Sequence, residues 1–260
     1  MKRISLSISI AALLLGASAC NPQNKDVETI GPTAGSTQAN QEAAVSVESV
    51  QLERPVEIDM YTDFNCPWCY IGAERMSSIL ERYQFSERVR VHHRVYLLSP
   101  EMPEEGVNIA ERLREKYGSD PSTMFARVEG AARESGLPLD FSKLERNYPT
   151  LRAHVLVLHA AEKGTQDALK RDLFRANFVD AKNINDVEVL VEIGTKHGFT
   201  ALEVRELVTS AVEIDAVLRQ GRSAVRVAQG VPYFVMNEGR GVSGAQPERV
   251  LVGEIRRAGN

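Results

Sequence analysis

The sequence predicts an α/β protein whose sheet comes from two separated stretches of chain. Residues 54–99 read as strand, helix, strand. Residues 213–258 read as helix, strand, strand, helix. Between them, residues 100–212 carry helical periodicity, with glycines where helices stop and no convincing strand. An α/β unit split by a large helical insertion accounts for all three observations.

Taken in order, Val56 to Thr62 sets Val, Ile, Met, Tyr and Thr among polar residues and reads as a strand. Pro67 suits the first position of a helix, which is expected to run to about Tyr83. Val89 to Leu98 reads as a second strand. The insertion is expected to hold helices at Ile109–Tyr117, Pro121–Ser135, Pro149–Lys163, Gln166–Val179, Asp186–Lys196 and Ala201–Ser210. Gly118, Gly136, Gly164 and Gly198 fall at their ends. Beyond it, Ile214–Gln229 reads as helix, Pro232–Met236 as a strand, Gly241–Ser243 as the start of another, and Gln246–Arg257 as a closing helix.

With 260 residues, 43% apolar and 25% charged, the composition is that of a globular protein. Lys2 and Arg3 lie in what reads as a removable leader. Without them the 31 basic residues become 29, against 35 acidic ones. That balance argues against a nucleic-acid partner, which calls for a basic footprint. The longest apolar run is too short to span a bilayer. Three cysteines, Cys20, Cys66 and Cys69, are too few for a disulfide-stapled scaffold.

Residues 1–20 read as a lipoprotein-type export signal. Lys2 and Arg3 form the basic start, Ile4 to Leu15 the mostly apolar stretch, and Gly16 to Ala19 the small residues a peptidase needs. Ala17-Ser18-Ala19 also satisfies the rule for ordinary secretion. Small residues ending directly in Cys20 resemble a bacterial lipobox, although Ala17 stands where Leu is usual. In that reading Cys20 is lipidated and becomes the first residue of the mature chain. Residues 21–53 read as a flexible polar linker, too poor in apolar residues to offset its ordering entropy. The protein is therefore expected in the cell envelope, in the periplasm, tethered to a membrane through Cys20. Simple secretion is the alternative.

Cys66-Pro67-Trp68-Cys69 carries the chemistry. A zinc site needs four ligands, and no second cysteine pair exists. His92 and His93 are adjacent on a strand and point to opposite faces, and His154 and His159 are five apart on a helix, so neither pair chelates. No metal is expected. A purely structural disulfide would close a tiny loop and contribute little. A redox disulfide explains more. Cys66 at a helix start meets free N–H groups and the positive end of the helix dipole, which favour the nucleophilic thiolate. Cys69, one turn inward, would resolve the mixed disulfide. Asp63 and Asp59 are candidates for accepting the Cys69 proton, with loop capping or a surface role as the plainer readings. Trp68 either shapes a substrate groove or packs beside Tyr70 or Phe64.

The segment Phe64-Asn65-Cys66-Pro67-Trp68-Cys69-Tyr70-Ile71-Gly72 resembles the active-site segment of the DsbA-like thioredoxin-fold family, particularly its FrnE-like branch. Leu98-Ser99-Pro100, Ala153-His154, Leu173-Phe174-Arg175-Ala176, Gly230-Val231-Pro232 and Ser243-Gly244-Ala245-Gln246-Pro247 continue the likeness in order. Tyr148-Pro149-Thr150 after Asn147, and Val95-Tyr96 in place of Pro-Phe, depart from it away from the cysteines. The resemblance implies a thioredoxin-like fold with a helical insertion, residues 54–99 and 213–258 forming the thioredoxin part. It implies a cis bond before Pro232, with Val231 and Pro232 beside the disulfide where a substrate strand pairs. It further implies a protein disulfide oxidoreductase that needs no cofactor beyond the Cys66–Cys69 disulfide, exchanging with exported protein thiols and served by a redox recycling partner. A glutathione-dependent isomerase or transferase of the same fold is one alternative. Such relatives tend to carry Ser at the first cysteine position and lack the second. A non-catalytic binding lipoprotein is the other alternative.

Overall fold

The computed structural model describes residues 51–239 and 241–260. The export signal 1–20, Cys20 and the linker as far as residue 50 lie outside the described residues. In chain order the elements are β1 (Val56–Thr62), α1 (Pro67–Arg82), β2 (Val89–Val95), β3 (Val107–Asn108), α2 (Ile109–Tyr117), α3 (Ser122–Glu134), β4 (Arg146–Asn147), α4 (Leu151–Ala160), α5 (Gln166–Phe178), α6 (Val187–Lys196), α7 (Ala201–Thr209), α8 (Ala211–Ala224), β5 (Tyr233–Met236), β6 (Gly241–Ser243) and α9 (Glu248–Gly259). Single 3-10 turns at Phe85–Glu87 and Phe141–Lys143 complete the list.

Four strands form one sheet in the order β2-β1-β5-β6. β1 pairs parallel with β2, from Val56 against Val89 to Thr62 against Val95. Its other edge pairs antiparallel with β5, from Ile58 against Met236 to Tyr61 against Tyr233. β6 closes the sheet antiparallel to β5. Along β1 every second residue is buried, so Val56, Ile58, Met60 and Thr62 face the core while Glu57 stays outside. This is an α/β fold of thioredoxin type with a helical insertion.

The insertion is not an appendage. One apolar core joins Ile58, Ile71 and Met76 of the sheet unit to Leu156, Leu169, Phe174 and Leu190 of the insertion, and on to Leu251 and Ile255. A stack of rings makes the join. Phe64 meets Phe174 at 4.8 Å and His154 at 4.9 Å, and Tyr70 meets Phe174 at 5.5 Å and Phe178 at 6.0 Å. Each aromatic pair adds about 0.5–1.5 kcal/mol to the burial itself. A smaller cluster, Val95, Val155 and Val217, packs α4 and α8 against the end of β2.

Five differences from the sequence reading have physical causes. β2 stops at Val95 instead of Leu98, because β1 ends at Thr62 and offers its last carbonyl to the Tyr96 N–H. The insertion does contain strand, the two-residue β3–β4 ribbon, which is too short to leave an alternation pattern. α4 is trimmed to Leu151–Ala160, its far end closed by Gly164 at φ +70°. α8 starts at Ala211 rather than Ile214, since Ser210 both ends α7 and caps α8 by accepting the Glu213 N–H. Leu52, inside the segment read as linker, is buried against Gly259.

Gly72 lets α1 approach β5. A Cβ there would lie 2.9 Å from Pro232 Cγ and 3.4 Å from Phe234 Cζ. Alanine in a helix interior gains about 1 kcal/mol over glycine, but overpacking costs about 1–3 kcal/mol. The stiff proline ring makes the second effect win. Gly72→Ala should therefore lower stability by roughly 1 kcal/mol in urea unfolding. A more stable variant would mean that the Pro232 segment yields freely.

Candidate active site

The residues Asp63 to Cys66 leave β1 and enter α1, so their backbone has no ladder of its own. Other groups satisfy it. Asp63 is fully buried, and its carboxylate accepts the N–H of Asn65 at 2.7 Å and the N–H of Leu98 at 2.8 Å. The Thr150 hydroxyl donates to the same group more weakly, at 3.5 Å. Asn177 Nδ2 donates to the Phe64 carbonyl at 2.8 Å, and Asn65 Nδ2 donates to the Tyr148 carbonyl at 2.8 Å. Cys66 is the N-cap of α1, with its carbonyl accepting the N–H groups of Cys69 and Tyr70. Its own N–H is bound to the Asp63 carbonyl.

Both cysteines are free thiols in this structure. Cys66 keeps 6% of its surface and Cys69 none. Cys66 is thus less exposed than its place at a helix start suggests, yet it is the one sulfur of the pair that reaches a cleft. Its Sγ donates to the Val231 carbonyl at 3.5 Å, and the Val231–Pro232 bond is cis. Burial pushes the Cys69 thiol well above the ordinary range, and its hydrogen bond to Cys66 and the charges of Cys66 and Asp63 push the same way. Hydrogen bonding from the Asp63 backbone opposes them. Burial likewise pushes Asp63 up, to about 6, against the hydrogen bonds it accepts.

The cleft in front of Cys66 has a volume of about 280 Å³. Cys66 and Trp68 line it together with residues of α2 and α3. Trp68 both lines the cleft and packs on the core, with Arg127 5.7 Å above its ring. Asp59 is excluded as a proton acceptor, since it lies at the surface in an ion pair with Arg94 at 2.7 Å. Cys66, Cys69, Asp63, Trp68 and Val231 are therefore brought together, and Pro232 meets them through Gly72.

Sequence reading missed the partners that hold this segment. Thr150, Asn177 and the pair His93–His154 are buried around it. Thr62 Oγ1 lies 3.1 Å from His93 Nδ1, and His93 Nε2 lies 3.0 Å from His154 Nδ1. Burial pushes His93 well below the ordinary histidine range and His154 down to about 3, so both are neutral. Among the described residues no group of three or more His, Cys, Asp or Glu side chains is placed to hold a metal.

The profile of the DSBA-like thioredoxin domain matches residues 57–256. The chain belongs to the DsbA-like family. Among solved structures, a probable DsbA oxidoreductase from Streptomyces coelicolor is 31% identical, with 78% of this chain covering 89% of that one at a TM-score of 0.71. A 2-hydroxychromene-2-carboxylate isomerase shares the fold at 16% identity and a TM-score of 0.61, over 77% and 95% of the two chains. So does the cytosolic disulfide reductase DsbM from Pseudomonas aeruginosa, at 17% identity and 0.56, over 77% and 99%. No curated protein matches the chain. The DsbA-like fold is that of thiol–disulfide oxidoreductases, and it implies substrates bearing thiols or disulfides.

In this DsbA-like chain the buried acid makes stability pH-dependent. Asp63 is neutral in both states below about pH 3.8 and charged in both above about pH 6. Between these values the folded chain keeps a proton that the unfolded chain has released. Stability from this group therefore falls as pH rises through the window, by on the order of 3 kcal/mol in all. His93 and His154 act oppositely, opposing folding as pH falls below 6.5. The comparison of wild type with Asp63→Asn isolates the acid. With both proteins reduced, wild type should lose about 2 kcal/mol against the variant between pH 4 and pH 7 in urea unfolding. A constant difference would show that Asp63 does not titrate in this range.

Proposed function

We propose that this protein is an exported thiol–disulfide oxidoreductase that exchanges disulfides with cysteine-bearing proteins through Cys66 and Cys69. The observation that carries this reading is the asymmetry of the pair. Cys66 opens onto a cleft beside the Val231 carbonyl, and Cys69 is sealed behind it. A substrate thiolate attacks Cys66 Sγ of the Cys66–Cys69 disulfide. The S–S bond breaks, and Cys69 leaves as a thiolate and takes up a proton. The second substrate thiolate then attacks the substrate sulfur of the mixed disulfide and releases Cys66. Two electrons and two protons have passed from substrate to protein, and the same steps run backward reduce a substrate disulfide.

When the steps run backward and Cys69 attacks the mixed disulfide, Asp63 accepts its proton; in the forward direction Asp63 returns it. Thiolate formation at a buried sulfur needs a base nearby, and a buried carboxyl with a pKa near 6 exchanges protons at neutral pH. The Val231-Pro232 segment and Trp68 form the edge on which a substrate strand lies. The reaction needs no cofactor. A redox partner recycles the pair. Residues 1–20 direct export, and lipidated Cys20 holds the domain to a membrane in the periplasm.

Two measurements test these readings. After acid trapping, Cys69→Ser should accumulate reductant-sensitive adducts with exported proteins on non-reducing gels, because Cys66 can capture but nothing resolves. Cys66→Ser should accumulate none. Adducts through Cys69 in Cys66→Ser would reverse the roles, and none in either variant would remove protein substrates. Mass spectrometry of the mature chain should find a lipid-bearing Cys20 as its first residue. An unmodified chain end would leave an ordinary secreted protein.

A further inference from the structure

Among the described residues seven large apolar side chains stay exposed, and three of them line the one cleft that holds Cys66: Leu98 at 41%, Tyr117 at 53% and Met124 at 36%. The other four lie on α7, on α8 and in the turn after it. Single apolar residues on a surface need no explanation, but a group of them around a concave site next to a reactive sulfur marks a surface that another molecule covers.

The charge of the cleft narrows the occupant. Its charged lining residues are Arg112 and Lys116, and no carboxylate lines it. Arg127 stands over Trp68 at the same wall. Arg112 is bound to the Ser99 hydroxyl and Lys116 sits 5.3 Å over the Tyr117 ring, so neither is neutralised by an acid in contact. In a chain with more acidic than basic residues this is a local reversal of sign. A cleft with apolar walls also weakens solvent screening and focuses that charge.

We propose, resting on the disulfide-exchange reading above, that the cleft selects partner segments in which an apolar and an acidic residue flank the reacting cysteine. The cysteine bonds to Cys66, the apolar side chain enters between Leu98, Tyr117 and Met124, and the carboxylate meets Arg112 and Lys116. Glutathione offers carboxylates but no apolar side chain for these walls. Arg112 also acts on the buried Asp63, so Lys116 and Arg127, both exposed, are the cleaner probes.

The test uses the oxidised protein and single-cysteine peptides that differ only in the flanking pair: Leu-Glu, Leu-Lys or Gly-Gln. Glutathione is a fourth reductant. Two peptide thiols reduce one Cys66–Cys69 disulfide and become a peptide disulfide, and the reaction is followed by acid trapping and mass. Each rate is divided by the same thiol's rate with a small neutral disulfide, which removes the effect of the flanking charge on the thiol itself. The Leu-Glu peptide should lead the Leu-Lys peptide about tenfold at low salt, and the lead should shrink at about 0.5 M salt. The double variant Lys116→Glu, Arg127→Glu should reverse the order. Equal rates for the charged peptides, an unchanged order in the double variant, or a lead of glutathione over every peptide would each overturn the proposal while leaving disulfide exchange intact. If no thiol reduces the pair, the exchange reading itself fails.

Discussion

The three residues Asp63, Phe64 and Asn65 are the hinge-point on which the site depends, because they carry the chain from a sheet to a helix with no regular hydrogen bonds of their own. Buried backbone and side-chain polar groups must be paired. Here the pairing is supplied by the Leu98 N–H, Thr150, Asn177 and the Tyr148 carbonyl. All four lie beyond β2, three of them on or beside the insertion helices. Each bond is worth about 1 kcal/mol, but leaving its partner unpaired would cost about 1–3 kcal/mol. Position of the thiols and integrity of the insertion are therefore one property. The ring stack from Phe64 through Phe174 and Tyr70 to Phe178 reinforces it with apolar contact in the core that also holds the cysteines.

Much of this was legible in the residues. β1 at Val56–Thr62, α2 at Ile109–Tyr117 and β6 at Gly241–Ser243 coincide with the periodicity, since each has a strong pattern or a definite stop. The two cysteines were legible because their spacing at a helix start has few chemical explanations. Long-range pairings were not. Nothing local in Thr150 or Asn177 says that it serves a segment 87 or 113 residues earlier. The meeting of His93 and His154 across 61 residues depends on how α4 lies on β2. A residue doing two jobs also escapes pattern reading, as Ser210 does between α7 and α8.

The core holds an unusual amount of titratable material. Lys170 is almost fully buried, paired with Asp167 at 2.9 Å and touching Met60 Sδ at 3.9 Å. His93 and His154 lie nearby and are neutral, which avoids a cluster of buried cations. Asp63 and Cys69 are both fully buried, and the charge of Asp63 adds to the burial that pushes the Cys69 thiol up.

The ends of the described fold meet. The Arg54 N–H binds the Gly259 carbonyl at 2.9 Å, its guanidinium binds the Ala258 carbonyl, and Leu52 covers Gly259. The backbone is thus nearly a closed ring, sealed by contacts on the side of α9. Such a ring can be cut elsewhere and its old ends joined by a short linker without disturbing the sheet order. It can equally be spliced as a block into a loop of another protein, because its entry and exit occupy a single spot. The same closure means that mechanical load applied through residue 54 is shared with α9 before it reaches β1, the strand that leads to the cysteines.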